Sequence, residues 1–275
     1  LVSGLLGALV YWFSMSQFYR FALLGDPVAH SRSPAIHAEA LRLTSLRGEY
    51  EAITADQQVL EETLTDLRSG DIDGMNVTMP LKRIAFELAD VTTPEARLAG
   101  SINTMKRGED GLVLAQSTDA VAFGEVFEGE GFKELNSVLV LGAGGSAAAA
   151  LAATKGRDAY LSARNAETAQ ALADTFDSVG VIPWGASVAG AAVVNATPLG
   201  MSGEPLPDGI VELGGALVDL PYSGTTTRAT SKATGRGIPT VDGIEFLARQ
   251  AALSFRWWTG ESVDFAVLAE IARNV

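Results

Sequence analysis

The sequence predicts an α/β protein of two domains, and three observations carry that expectation. From Phe18 onward, apolar runs bounded by Gly, Asp or Pro alternate with longer segments at helical spacing, the rhythm of parallel sheets with helical crossovers. The chain has 275 residues, and a domain takes roughly 100 to 200. Hydrophobic residues make up 47% of it, enough to build real cores and to exclude intrinsic disorder.

In the first half the pattern predicts strands over residues 20–24, 49–53 and 74–78, with helices near 35–43 and 57–68. The rhythm then changes. Residues 101–107 and 112–117 read as two β-like runs around the turn Gly108 to Gly111, which makes a hairpin. The second half opens at Ser137 with Val138 to Leu141, a short, wholly apolar run of the buried parallel kind. Further strands are expected at 159–163, 179–183, 191–196, 215–220 and 238–241, and five or six parallel strands imply a nucleotide-binding domain. The alanine run Ala147 to Ala150 reads as a helix face packed tightly on that sheet. After Gly243 the chain is helical, over 246–258 and 263–273, and these helices are expected to fall partly back on the first domain, closing a cleft between the halves.

Composition narrows the chemistry. The formal net charge is -13 and no Lys/Arg run is present, so nothing offers nucleic acid a basic surface. With zero cysteines, disulfides and thiolate zinc sites are excluded, and two histidines make a histidine-built metal site a poor expectation. No metal is expected. The apolar start LVSGLLGALVYWF is about 13 residues where a spanning helix needs roughly 20, and it lacks the basic n-region and cleavage site of a secretory signal. Residues 1–15 are therefore expected to be a non-native or disordered leader, read as an over-extended reading frame with Met15 as the natural start; a short interfacial anchor is the alternative.

The sharpest signal of the second half is Gly142-Ala143-Gly144-Gly145-Ser146-Ala147, which directly follows a strand and opens an Ala-rich helix. Gly142 permits the tight turn, Gly144 lets backbone approach phosphates, and Ala147 lets the helix lie close to the strand, so that a pyrophosphate can sit on the helix-start N–H groups. Packing of helix on strand is the bland alternative. The next strand ends in Ser162-Ala163-Arg164-Asn165. Arg164 stands where an NAD site carries an acid; a guanidinium can grip a 2′-phosphate, which favours NADP, unless Arg164 is merely a solvated charge.

Three polar motifs mark the first half. In His30-Ser31-Arg32-Ser33-Pro34, Pro34 suits a first helical turn and Ser33 its N-cap, which leaves Ser31 without a structural task; the two hydroxyls together can bind a polyol. In Asn76-Val77-Thr78-Met79-Pro80-Leu81-Lys82, Pro80 is expected to start a helix and to put Lys82 in its first turn, where the dipole disfavours a cation and eases proton release. In Gln116-Ser117-Thr118-Asp119, Asp119 can cap the next helix or, if the fold brings it to Lys82, complete an acid/base dyad.

Together these motifs resemble the shikimate dehydrogenase family from about Phe18 to Val275. The carrying residues are HSRSP, NVTMPLK, Gly100-Ser101-Ile102-Asn103-Thr104, Thr118-Asp119, GAGGSA, the NATPLGM segment Asn195 to Met201, Asp219 with Tyr222, and Gly243 with Gln250-Ala251. The resemblance implies an N-terminal α/β substrate domain over 16–118 and a Rossmann-type doubly wound dinucleotide-binding domain over 119–243, with helices 244–275 packing partly back on the first. It implies reversible, NADPH-dependent reduction of 3-dehydroshikimate to shikimate, in aromatic amino-acid and chorismate biosynthesis, by a cytoplasmic monomer or homodimer with no membrane partner. Ser31 and Ser33 would hold the substrate carboxylate with Tyr222 nearby, and Thr78, Asn103, Asp119 and Gln250 the ring hydroxyls. Lys82 would be the catalytic acid/base, paired with Asp119. NADP would lie on Gly142, Ala143, Gly144, Gly145 and Ser146, on Ala163, Arg164 and Asn165, and on Thr197, Leu220 and Gly243.

The sequence departs from the family pattern at Ser117, where Asn usually precedes Thr-Asp, at Gly224, which replaces a common proline, and at Phe246, often methionine. None of these removes a proton-transfer group. Nicotinamide packing and the preference between shikimate and quinate stay open. The alternatives are a catabolic quinate/shikimate dehydrogenase using NAD, and a ligand-sensing homologue without turnover.

Overall fold

The computed structural model describes residues 17–223 and 225–275. The expected leader and Gly224 lie outside these residues. The described chain runs β1 (Phe18–Gly25), α1 (Ser33–Leu43), β2 (Arg47–Thr54), α2 (Gln57–Ser69), β3 (Gly74–Val77), α3 (Lys82–Leu88), β4 (Val91–Thr92), α4 (Pro94–Ala99), β5 (Thr104–Arg107), β6 (Val113–Gln116) and α5 (Thr118–Phe127). It continues through β7 (Ser137–Leu141), α6 (Gly145–Ala152), β8 (Asp158–Ser162), α7 (Ala166–Ala173), β9 (Val179–Val181), β10 (Ala192–Asn195), α8 (Ile210–Leu213), β11 (Ala216–Asp219), α9 (Arg228–Gly235), β12 (Thr240–Asp242), α10 (Gly243–Thr259) and α11 (Phe265–Arg273).

Two six-stranded sheets organise the chain, which divides into two compact units. The first sheet has the order β2-β1-β3-β5-β6-β4 and is mixed: β1 runs parallel to β2 and β3, while β5 is antiparallel to β3. Parallel β1 and β3 are joined through α1, β2 and α2, which supply the long crossovers such pairing needs. Helix α2 shows how the local sequence sets these elements: Asp56 accepts from the Val59 N–H at its start, and Gly70 ends it at φ 90°. The hairpin expected around Gly108 to Gly111 is present, with the Gly108 N–H donating to the Leu112 carbonyl.

The second sheet has the order β12-β11-β10-β7-β8-β9, with every registered pair parallel. Counted from β7, this is the doubly wound order 3-2-1-4-5-6, whose reversal between β7 and β10 opens a ligand crevice at the carboxyl ends of the strands. Its central strands are buried on both faces, which is why they read as unbroken apolar runs.

Along the chain the first unit gives way to the second between Ala115 and Gln116, with residues 92–102 as an excursion. The first runs to Val91 and takes in Asn103–Ala115 and Ala251–Val275; the second holds Thr92–Ile102 and Gln116–Gln250. The excursion at 92–102 has a packing cause. Helix α4 buries Ala96 and Ala99 and packs on α5 and on the alanine face of α6, where small side chains allow close approach. Within the first unit, α11 packs on α1, and the Arg32 guanidinium donates to the Ala272 carbonyl in the last turn of α11. The end of α10 is anchored there too: the Trp258 ring stacks on Phe21 at 4.5 Å and its indole N–H donates to the Met105 carbonyl at 3.0 Å.

Candidate active site

In the first unit, the candidate side chains gather at the carboxyl ends of β1 and β3. Ser31, Arg32 and Ser33 follow β1, and Thr78 and Lys82 follow β3. Asn103 precedes antiparallel β5, so it lies beside the end of β3, where its carbonyl accepts from the Val77 N–H at 2.9 Å. Gly25 makes this closeness possible: a Cβ there would meet the Thr78 methyl at 2.3 Å and the Met79 carbonyl at 2.7 Å. Beneath the site, buried Asn76 donates to the Asn103 carbonyl, to the Thr104 hydroxyl and to the Ser254 hydroxyl, and accepts from Tyr50.

Three local expectations need correction. Ser33 is not the N-cap of α1. That position belongs to Arg32, in helical backbone and without a side-chain cap, while the Ser31 hydroxyl accepts from the Ser33 N–H at 3.2 Å. Ser31 therefore does the local structural work expected of its neighbour. Pro80 does not start α3: the Leu81 N–H donates to the Thr78 carbonyl, closing a turn first, and Lys82 is the first helical residue. Asp119 does not cap α5. Ser117, in extended backbone, accepts from the Ala120 N–H, and Asp119 occupies the first turn. The departure at Ser117 thus fills a capping role that the asparagine it replaces suits equally well.

In the second unit, Asp119 is buried, and the neighbouring Thr118 hydroxyl donates to Gln250 at 3.4 Å. The Phe246 ring packs tilted against Phe123 at 4.3 Å and 42°, so the larger ring at this position fills core. The remaining candidates lie at the carboxyl edge of the parallel sheet: Gly142 to Ser146 after β7, Ala163 to Asn165 after β8, Thr197 after β10, Leu220 and Tyr222 after β11, and Gly243 after β12. Lys82 belongs to the first unit and Asp119 to the second.

The turn after β7 fits a dinucleotide. Gly142 has φ 106°, a region closed to most L side chains, and a Cβ on it would meet the Ala196 carbonyl oxygen at 2.8 Å. Gly144 caps α6 without any side chain, so no protein side-chain acceptor satisfies the first-turn N–H groups from that position, and the space where its Cβ would stand is open. Such a helix start leaves N–H groups able to donate to an anion. One strand further on, a shallow recess is lined by Arg164, Asn165, Ala166 and Glu167. The Asn165 side-chain carbonyl caps α7 by accepting from the Thr168 N–H at 2.9 Å, while Arg164 is exposed.

Two groups escape reasoning from sequence. Asp219 stands out there only as a motif match, yet it gathers Asn195, Thr227 and Thr230 around a buried carboxylate. Two of its partners, Thr227 and Thr230, share a visible signal, hydroxyls three residues apart at a helix start. His37 carries no signal of its own. It is fully buried, stacked on Tyr50 at 4.2 Å, and neither ring nitrogen has a hydrogen-bond partner; burial pulls its pKa down to about 3. Among the described residues, no group of three or more His, Asp or Glu is placed to hold a metal ion, and no helix is long and apolar enough to cross a membrane.

A six-stranded parallel sheet in doubly wound order, with a glycine turn at its switch point, defines the class of dinucleotide-binding α/β proteins. Residues 23–105 match the family model described as the shikimate dehydrogenase substrate binding domain, and residues 243–273 match the shikimate 5'-dehydrogenase C-terminal domain. The chain belongs to the shikimate dehydrogenase family. It is 38% identical over 260 residues to a shikimate dehydrogenase (NADP(+)) of Thermus thermophilus, covering 93% of this chain and 98% of the relative. It is 35% identical to that of Chromohalobacter salexigens, with 93% and 98% covered. A shikimate 5-dehydrogenase from another strain of Thermus thermophilus, solved in complex with NADP(H) and shikimate, superposes with a TM-score of 0.83 at 38% identity, over 93% of this chain and 99% of that one. A 5-ketofructose reductase of Gluconobacter has a TM-score of 0.82 at 21% identity, which shows the shared fold alone.

Proposed function

We propose that this protein is an NADP-dependent shikimate dehydrogenase, reducing the ketone of 3-dehydroshikimate to the alcohol of shikimate and catalysing the reverse. One observation carries the reading: a curated NADP(+) shikimate dehydrogenase matches at 38% identity over 93% of this chain and nearly all of its own length. In this reading the first unit carries most of the substrate-binding groups and the second the coenzyme-binding ones. Ser31 and Ser33 hold the ring carboxylate, Tyr222 is a further substrate-binding group, and Thr78, Asn103, Asp119 and Gln250 take the hydroxyls, each side chain carrying a donor or acceptor that a polyol can use. The glycine turn and helix start of α6 take the pyrophosphate, and Arg164 the 2′-phosphate.

The coenzyme, when bound, supplies the hydride that reaches the carbonyl carbon. Lys82 supplies the matching proton: its ammonium protonates the carbonyl oxygen as negative charge grows there, and the neutral amine takes the proton back in the oxidative direction. The protein's share of the rate comes from holding ring and proton donor in register, so binding geometry matters as much as the donor itself.

The test is a spectrophotometric assay of NADP reduction with shikimate and, separately, with quinate, repeated with NAD. Turnover with shikimate and NADP exceeding the other combinations supports the reading. Faster turnover of quinate with NAD would point to the catabolic enzyme, and no turnover with any pair would leave a non-catalytic binder.

A further inference from the structure

Asp219 ends β11 at the carboxyl edge of the parallel sheet and is wholly buried. A lone carboxylate there would be expensive, and an apolar residue would serve packing better. Three donors converge on it instead. Oδ1 accepts from Asn195 Nδ2 at 2.7 Å, and Oδ2 accepts from the Thr230 hydroxyl at 2.9 Å and from the Thr227 hydroxyl. The partners come from 24, 11 and 8 residues away along the chain.

The polarity of this arrangement has a direction. An ionised carboxylate can only accept, so it obliges Asn195 to present its NH2 inward. The Asn195 side-chain oxygen then faces Thr197, accepting from its N–H at 3.2 Å and from its hydroxyl at 2.6 Å. The same NH2 donates to the Leu199 carbonyl at 3.0 Å. On the other side, the Thr227 hydroxyl, committed as a donor to Asp219, accepts from the Thr230 N–H at 3.0 Å and caps α9. One acidic group thereby sets the turn from Asn195 to Leu199 and both ends of the segment that carries Leu220 and Tyr222; the Leu220 N–H also donates to the Asn195 backbone carbonyl at 3.1 Å. The far side of the first turn has its own brace, since Glu204 accepts from the Gly200 and Ser202 N–H groups.

We propose that Asp219 is a positioning residue for the nicotinamide half of the coenzyme, acting through Asn195 on Thr197 and through Thr227 and Thr230 on the loop bearing Leu220 and Tyr222. This rests on the reading of Thr197 and Leu220 as coenzyme contacts; they follow β10 and β11, in the mononucleotide half of the doubly wound sheet across the switch point from β8 and Arg164. It separates the second unit into an adenosine end, built on the glycine turn and Arg164, and a nicotinamide end, built on Asp219.

The experiment compares the wild-type protein with Asp219→Asn and Thr230→Val, measuring kcat, KM for NADP and for NAD, and the dissociation constant of 2′,5′-ADP, which lacks the nicotinamide. The amide cannot accept from every present donor, so Asp219→Asn is expected to lower kcat/KM about 10- to 100-fold, by the same factor with either coenzyme, while 2′,5′-ADP binding stays within about 2-fold. Thr230→Val removes one donor and leaves the cap intact, and a loss of about 5-fold with the same selectivity is expected. It carries the test if Asp219→Asn does not fold. Normal kinetics in the folded variants, or 2′,5′-ADP binding that weakens in step with the coenzymes, would overturn the proposal. A wild-type protein that neither reduces NADP with shikimate nor binds 2′,5′-ADP would instead overturn the functional reading beneath it.

Discussion

The two sheets present their candidate ligand groups by different means. In the parallel sheet the turn after β7 offers backbone: Gly142 at φ 106°, an uncapped helix start, and alanines that let α6 lie close. In the mixed sheet the ends of β1 and β3 offer side chains, the hydroxyls of Ser31, Ser33 and Thr78 and the amine of Lys82. A backbone cradle is specified by what is missing, the Cβ atoms that would fill it. A side-chain site is specified by what is present, and each group has a chemistry that no neighbour replaces. Loss of a single atom set should therefore abolish chemistry in the first unit, and should alter affinity or folding in the second.

Lys82→Ala tests the first half of that contrast most severely. Turnover should fall at least about 100-fold with the Michaelis constant for shikimate changed far less, the scale of a lost general acid/base; near-normal turnover would remove Lys82 from the chemistry. Gly142→Ala should act on the second unit as a structural lesion. Its Cβ meets the Ala196 carbonyl oxygen at 2.8 Å in a left-handed backbone, so thermal or denaturant unfolding should show a loss of about 2 kcal/mol, with both coenzymes bound more weakly. A stable, fully active variant would mean that the turn relaxes more readily than its geometry indicates.

Arg164→Ala sharpens the comparison, because Arg164 is where the second unit relies on a side chain. The Michaelis constant for NADP should rise about 30-fold, the worth of a charge-assisted contact, with little change for NAD. An equal rise for both would refute the 2′-phosphate assignment.

His37 gives the smallest effect, on stability alone. Its folded pKa is lowered from 6.5 to about 3 by burial. Below pH 6.5 the unfolded chain binds a proton that the folded chain refuses, so stability is intact above that pH and falls as pH drops toward 3. The slope contributed is about 1.4 kcal/mol per pH unit at most. Denaturant unfolding across this range should show that slope reduced in His37→Phe, and an unchanged acid profile would show that the ring does not control it.

Much of the fold was legible because its signals are local. Apolar runs such as Val138 to Leu141 mark strands buried on both faces, and the glycine turn announces its own geometry. Helix caps were legible only to within a residue or two. Ser31 and Ser33, or Ser117 and Asp119, carry interchangeable capping chemistry, and the choice between them depends on backbone angles that the flanking strands impose. The excursion of residues 92–102 into the second unit left no mark in composition, since alanine contacts between α4 and α6 look like any small-residue helix face.

Most of the strands, the glycine turn after β7 and the side-chain chemistry at Lys82, Asp119 and Arg164 follow from the amino-acid sequence, since each depends on a residue and its immediate neighbours. The convergence of Asn195, Thr227 and Thr230 on Asp219, the burial of His37 between rings, and the anchoring of α10 through Trp258 were decided by the folded chain. Each is a contact between residues distant along the backbone, and its energy exists only once packing has excluded water and brought those groups together.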